Sequence, residues 1–292
     1  MMFNNSLKYH IGFSRADLGE NPPALALLSG DPERARRIAM ETEGTRMEKI
    51  LSENRGLNSY LASLQNGMRI LSATSGMGAP SLSIVVNELF DVGIRKIIRV
   101  GTSGSIQSDV RIGSIVISRA ALCRQGAAND IAPVEYPAAA DPFLTVALVN
   151  AARELAVDWH MGITASVDTF YEGQGRTACS ANKTPMSWLS GLRIGKDTLR
   201  AFGLSEDHLR ALPDPVAFGG INEEYRCLNI LNYEMEAGTL FKMAGVYGFA
   251  AACVCAVIAD RTAGEDIDHS IKRVAEENAI RVALRAVQGL GS

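Results

Sequence analysis

The chain has 292 residues, of which 47% are hydrophobic, so it is long enough to bury a sizeable core, and its net charge of -3 provides no overall basic field for nucleic acid or acidic membranes. The longest apolar run, 249–259, is too short to span a bilayer, and residues 1–10 lack the apolar core of a signal peptide, so a cytoplasmic protein is expected. The five cysteines show neither zinc spacing nor a CxxC pair, which suits reduced thiols and predicts no metal site.

In chain order, the first polar feature is Tyr9-His10-Ile11-Gly12, where a lone histidine reads as a surface residue. An apolar strand at 24–28 then runs into Gly30-Asp31-Pro32-Glu33-Arg34. Pro32 suits the first helical position, and the turn can present backbone N–H groups and Arg34 to an anion. A capped helix start with a solvated arginine explains the same residues. Arg55, just before Gly56, reads as an exposed cation. The strand at 69–74 ends in Thr74-Ser75-Gly76-Met77-Gly78-Ala79-Pro80, an uncharged glycine turn read as structural, and a helix follows at 80–90.

The strand at 96–100 leads into Arg99-Val100-Gly101-Thr102-Ser103-Gly104-Ser105, a turn of small and hydroxyl residues where ligands of open α/β sheets collect. An arginine inside an apolar strand needs a partner, which a bound phosphate or a structural ion pair could supply. A strand at 114–118, a helix at 142–155 and a strand at 162–167 follow. Asp168-Thr169-Phe170-Tyr171-Glu172-Gly173-Gln174-Gly175-Arg176 then sets an amide and a guanidinium two residues apart behind an aromatic, which suits a flat, amide-like ring. An ordinary polar turn is the plain alternative.

Residues 181–224, with Pro185, Trp188, Pro213 and Pro215, break the strand and helix rhythm and read as an inserted excursion holding one short helix near 205–210. Asn232-Tyr233-Glu234-Met235-Glu236 places two carboxylates before a helix at 237–247, as acceptors for sugar hydroxyls or as acids serving the helix dipole. Cys253 and Cys255 lie in the strand at 249–258, spaced to face one packed layer, and a helix at 270–287 closes the chain. Alternating strands and helices with no repeat or linker predict one α/β domain.

Taken together, these segments resemble the nucleoside phosphorylase family and, within it, the uridine phosphorylases; the likeness covers nearly the whole chain outside 181–224. The resemblance implies a single α/β domain over 1–292 whose central mixed sheet forms a partly closed barrel flanked by helices. The implied activity is the reversible phosphorolysis of uridine to uracil and ribose 1-phosphate, with phosphate as co-substrate and neither cofactor nor metal. Gly30, Arg34, Arg55, Arg99 and Thr102 would bind phosphate. His10, Glu234, Met235 and Glu236 would bind ribose, and Phe170, Gln174 and Arg176 uracil; Arg99, Gln174, Arg176 and Glu236 would carry catalysis. The family is oligomeric, so a homodimer is expected, with His10 and Arg55 acting across its interface. Gly56 stands where bacterial members carry a glutamate that helps bind a cation, so that cation is not expected. Asp260 keeps open a purine or broad-specificity phosphorylase, and a non-catalytic nucleoside-binding protein is the other alternative.

Overall fold

The apolar runs become strands because each is buried on both faces of a sheet, and alternate residues separate into two cores. A computed structural model describes residues 6–176, 193–194, 196–201, 203–211, 216–217, 221–262 and 269–290. Two compact units divide the chain, Met1–Asp168 with Asn229–Ser292, and Thr169–Leu228.

The larger unit begins with β1 (Leu25–Ser29), α1 (Pro32–Met40), β2 (Thr45–Ser52), β3 (Ser59–Leu64), β4 (Arg69–Thr74), α2 (Ala79–Asp91) and β5 (Lys96–Ser105). It continues with β6 (Ile115–Arg124), α3 (Gly126–Ile131), α4 (Pro142–Glu154) and β7 (Trp159–Val167). The smaller unit holds β8 (Arg193–Ile194), α5 (Lys196–Ala201), α6 (Glu206–Ala211), β9 (Val216–Ala217) and α7 (Ile221–Cys227), with β8 and β9 pairing antiparallel. Its helix α6 answers to the one expected near 205–210, while Pro185, Trp188 and much of the 181–224 excursion lie outside the described residues. The larger unit resumes with β10 (Ile230–Glu234), α8 (Ala237–Tyr247), β11 (Ala250–Asp260) and α9 (His269–Gly289).

The main sheet runs β10-β7-β6-β11-β5-β1-β4-β3-β2, mixing parallel and antiparallel pairs. It closes on itself where β10 pairs antiparallel with β5, Asn232 opposite Ser105 and Tyr233 opposite Gly104. Strands β5, β11, β6, β7 and β10 therefore form a closed mixed barrel, and β1 to β4 extend from its side. On β1, Leu25 and Leu27 join the core beneath α1, α4 and α9, whereas Ala26 and Leu28 join the core beneath α2 and α8. Cys253 and Cys255 both lie in the second core, on one face of β11 as their spacing predicts.

Candidate active site

The fourth residue of β5 is Arg99, which is only 4% exposed despite its charge. Its partner comes from the turn between β10 and α8: Nη2 donates to Oε2 of Glu236, and Nε lies 3.4 Å from Oε2 of Glu234. Nη1 also donates to the Cys255 sulfur at 3.4 Å. Burial opposes the Arg99 charge, but Glu236, Cys255 and Glu234 outweigh it and hold the guanidinium protonated well above its ordinary range. Gly101 makes room for this group, since a Cβ there would sit 1.5 Å from Nη1.

Burial pushes the Glu234 carboxyl up, Arg99 pulls it back, and the charge of Glu236 adds to the rise. Glu234 is heavily engaged. Its Oε2 accepts from the backbone N–H groups of Glu236 and Ala237, both at 2.8 Å, and its Oε1 accepts from the Ser166 hydroxyl. The Ser166 oxygen in turn accepts from the Gly238 N–H at 2.8 Å, and Gln125 Oε1 accepts from that of Thr239 at 2.9 Å. The first turn of α8 therefore has its free N–H groups satisfied by side chains rather than left open to an anion. Close approach permits this: a Cβ on Gly238 would lie 2.8 Å from the Cys123 sulfur and 2.9 Å from Ser166 Cβ.

Glu236 is oriented from its other side by the turn between β4 and α2, where the Gly78 N–H donates to Oε1 at 2.6 Å. Gly76 of the same turn has its carbonyl 3.3 Å from where a Gly30 Cβ would stand. That uncharged turn has no charged side chain to mark a site, and its contact with Glu236 is made by a backbone N–H, which no residue type advertises. Gly30 leads into α1, which Asp31 caps by accepting from Glu33 N at 2.9 Å, with Pro32 in the first turn as expected. Arg34 projects inward from α1, donating to Glu276 Oε1 of α9 at 2.9 Å and to the Val100 carbonyl at 3.4 Å, which sets it against the residue after Arg99. Its Nε is buried with no hydrogen-bond partner among the described residues. Thr102, further along β5, is partly buried.

His10 and Arg55 form a separate pair of features in this unit. His10 Nδ1 shares a 2.8 Å hydrogen bond with Glu88 Oε1, and the backbone N–H groups of His10 and Ile11 also bond that carboxylate. Asn54 donates to the carbonyls of Tyr9 and His10, and the Arg55 guanidinium stands 6.0 Å from the Tyr9 ring centre, so the structure brings His10 and Arg55 to one neighbourhood. Arg55 has a φ of 56°, a left-handed conformation costing a non-glycine residue roughly 1–3 kcal/mol. Glu88 lies ten residues along α2 from Gly78, about 15 Å at 1.5 Å per residue, so the His10 anchor is well removed from the Glu236 contact.

The smaller unit preorganises Phe170, Gln174 and Arg176. Arg176 Nη1 donates to Gln174 Oε1 and, at 2.7 Å, to the Phe170 carbonyl, while its guanidinium carbon sits 3.7 Å from the centre of the Phe170 ring. Gln174 is buried and Phe170 is half-exposed. Gly175 supports the turn with a φ of 66°, and a Cβ there would stand 2.7 Å from Ile221 Cγ2 of α7. Asp260 ends β11 by accepting from the N–H and hydroxyl of Thr262, both at 2.7 Å, in a local turn.

In the larger unit a buried cation lies against a carboxylate turn, a pairing suited to an anion and sugar hydroxyls; the smaller unit by itself holds an aromatic, an amide and a guanidinium together, a cluster suited to a flat base. Residues 24–288 match the model of the phosphorylase superfamily, and the chain belongs to that family. It is 33% identical over 282 residues to the uridine phosphorylase of Haemophilus influenzae, covering 97% of this chain and 98% of that protein. It is 33% identical over 282 residues to the uridine phosphorylase of Thermococcus kodakarensis, covering 97% and 86%. The guanosine phosphorylase of Halorubrum lacusprofundi is 28% identical over 273 residues, covering 91% and 93%.

Proposed function

We propose that the chain is a uridine phosphorylase, a pentosyltransferase that moves the ribosyl group of uridine to inorganic phosphate and releases uracil and ribose 1-phosphate, reversibly. The near full-length likeness to uridine phosphorylases carries this reading, and the buried Arg99–Glu236 pair supports it physically. The bond between ribose C1′ and uracil N1 stretches, its electron pair leaving with the base, while a phosphate oxygen forms the new bond to C1′. Gly30, Arg34, Arg99 and Thr102 hold phosphate, and Glu236, with Met235 beside it, accepts from the ribose hydroxyls. Gln174 and Arg176 donate to the uracil oxygens as they gain charge, which lowers the barrier because the interaction strengthens in the transition state. Phe170 packs on the ring. Phosphate itself is the nucleophile, so neither cofactor nor metal enters this scheme.

The enzyme is read as a homodimer in which His10 and Arg55 reach the ribose 5′-hydroxyl and the phosphate of the partner subunit. The roughly 15 Å of α2 between the Glu88 and Gly78 contacts supports this, as does the left-handed backbone at Arg55. Residues 181–224 are read as an insertion within one phosphorylase domain spanning 1–292. The free thiols at 123, 227, 253 and 255 fit a reducing, cytoplasmic setting.

Ultraviolet-monitored turnover of uridine and inosine, each with and without phosphate, tests the proposal. Uracil release that requires phosphate is expected. Inosine cleavage in its place would give Asp260 a catalytic part and make the enzyme a purine phosphorylase, while turnover of neither would leave a nucleoside-binding protein.

A further inference from the structure

Gln125 ends up completely buried although it follows the polar-looking end of β6. It stands at the N-cap position of α3 but makes no capping bond there, so its amide is committed elsewhere. Nε2 donates to the Met235 carbonyl at 2.5 Å, and Oε1 accepts from the N–H and the hydroxyl of Thr239, both at 2.9 Å. A side-chain amide suits this place because one neutral planar group both donates and accepts.

The carbonyl of Met235 and the N–H of Glu236 belong to one peptide unit. Gln125 holds the carbonyl end and Glu234 Oε2 holds the N–H end at 2.8 Å, so that peptide plane is pinned on both sides. Glu236 springs from it, and the direction in which its carboxylate leaves the backbone follows from the plane's orientation. Ser166 and Glu234 satisfy the neighbouring N–H groups, but Gln125 is the residue that fixes the carbonyl.

We propose that Gln125 is a positioning residue that sets the Met235–Glu236 peptide and thereby aims Glu236 at the ribose hydroxyls, an inference that rests on the function proposed above. Its loss weakens recognition of those hydroxyls and leaves recognition of a sugar lacking them almost unchanged.

The test compares the wild type with Gln125→Met, which fills the same volume without polar atoms, and with Thr239→Val, which removes one partner of Gln125 and spares Met235. Binding of uridine and of 2′,3′-dideoxyuridine is measured by calorimetry, alongside thermal unfolding and phosphate-dependent turnover. Gln125→Met is expected to lose about tenfold in affinity for uridine and less than twofold for the dideoxy compound, with Thr239→Val near the wild type; one lost buried hydrogen bond corresponds to a factor of that order. Equal losses for the two ligands, or no loss for uridine, overturn the inference. If Gln125→Met does not fold, the same comparison runs on Gln125→Asn, which stays neutral but is one methylene too short to hold both Met235 and Thr239. Absence of phosphate-dependent turnover in the wild type would refute the proposed function, a result distinct from any behaviour of the variants.

Discussion

Arg99 on β5 and Glu236 before α8 make a direct ion pair with side chains 5% and 4% exposed, so each is the other's principal compensation for leaving water. Removing one member strands the other. Glu236→Ala is expected to lower stability by about 3–5 kcal/mol and uridine kcat/KM by about a hundredfold or more. Urea unfolding and steady-state kinetics measure both, and an unshifted midpoint would mean that Arg99 finds another partner.

Gly101 offers a way to disturb the same arginine without altering charge. A methyl group there occupies the place of Nη1, 1.5 Å away, and must drive the guanidinium out of its pocket. Gly101→Ala should raise the KM for phosphate by about tenfold or more, the order of one misplaced charge-assisted hydrogen bond. A phosphate KM equal to that of the wild type would show that Arg99 does not serve the anion.

Arg176 combines a planar fork with stacking on Phe170, and lysine reproduces neither. Arg176→Lys, which keeps the charge, is therefore expected to reduce kcat for uridine by about a hundredfold. Single-turnover measurements locate the loss in the chemical step; full activity in the lysine variant would reduce the role of Arg176 to that of a point charge.

The thiols of Cys253 and Cys255 lie 3.5 Å apart in the core. Hydrogen bonding to Cys255 and burial push the Cys253 thiol well above its ordinary 9.0. A thiol raised in the folded state contributes stability that is complete below the unfolded pKa and is lost as pH climbs from there through the folded value. Stability should therefore fall above about pH 9, and Cys253→Ala should flatten that decline. At pH 8 iodoacetamide should label the exposed Cys227 and spare Cys253 and Cys255, which peptide mass mapping would reveal.

Strands with continuous apolar runs could be read from sequence, and β1, β4, β7 and β11 fall where those runs predict, whereas β5 and β6 continue well past theirs: the expected turn at 101–105 is strand, because its small residues pair with β11 and β10. β2 escaped because it alternates charged and half-buried residues, and β10 because it spends Asn232 and Glu234 on the interior. Arg99 posed a question that sequence could state, namely what pays for its burial, and the answer, Glu236, comes from the other end of the chain. Gln125 gave no signal at all, since a glutamine after a strand looks like a solvated loop residue. His10 read as a surface residue is half-buried against Glu88, a partner that local sequence does not reveal.

Closure of the barrel joins Asn232 to Ser105, and the same closure delivers Glu236 to Arg99. Residues so far apart in the chain meet only after a long loop has lost its freedom, a slow event in folding. Recovery of phosphorolysis during refolding should thus lag behind the return of helix and sheet signals, making catalysis the latest reporter of a finished chain and an early casualty when the barrel seam opens.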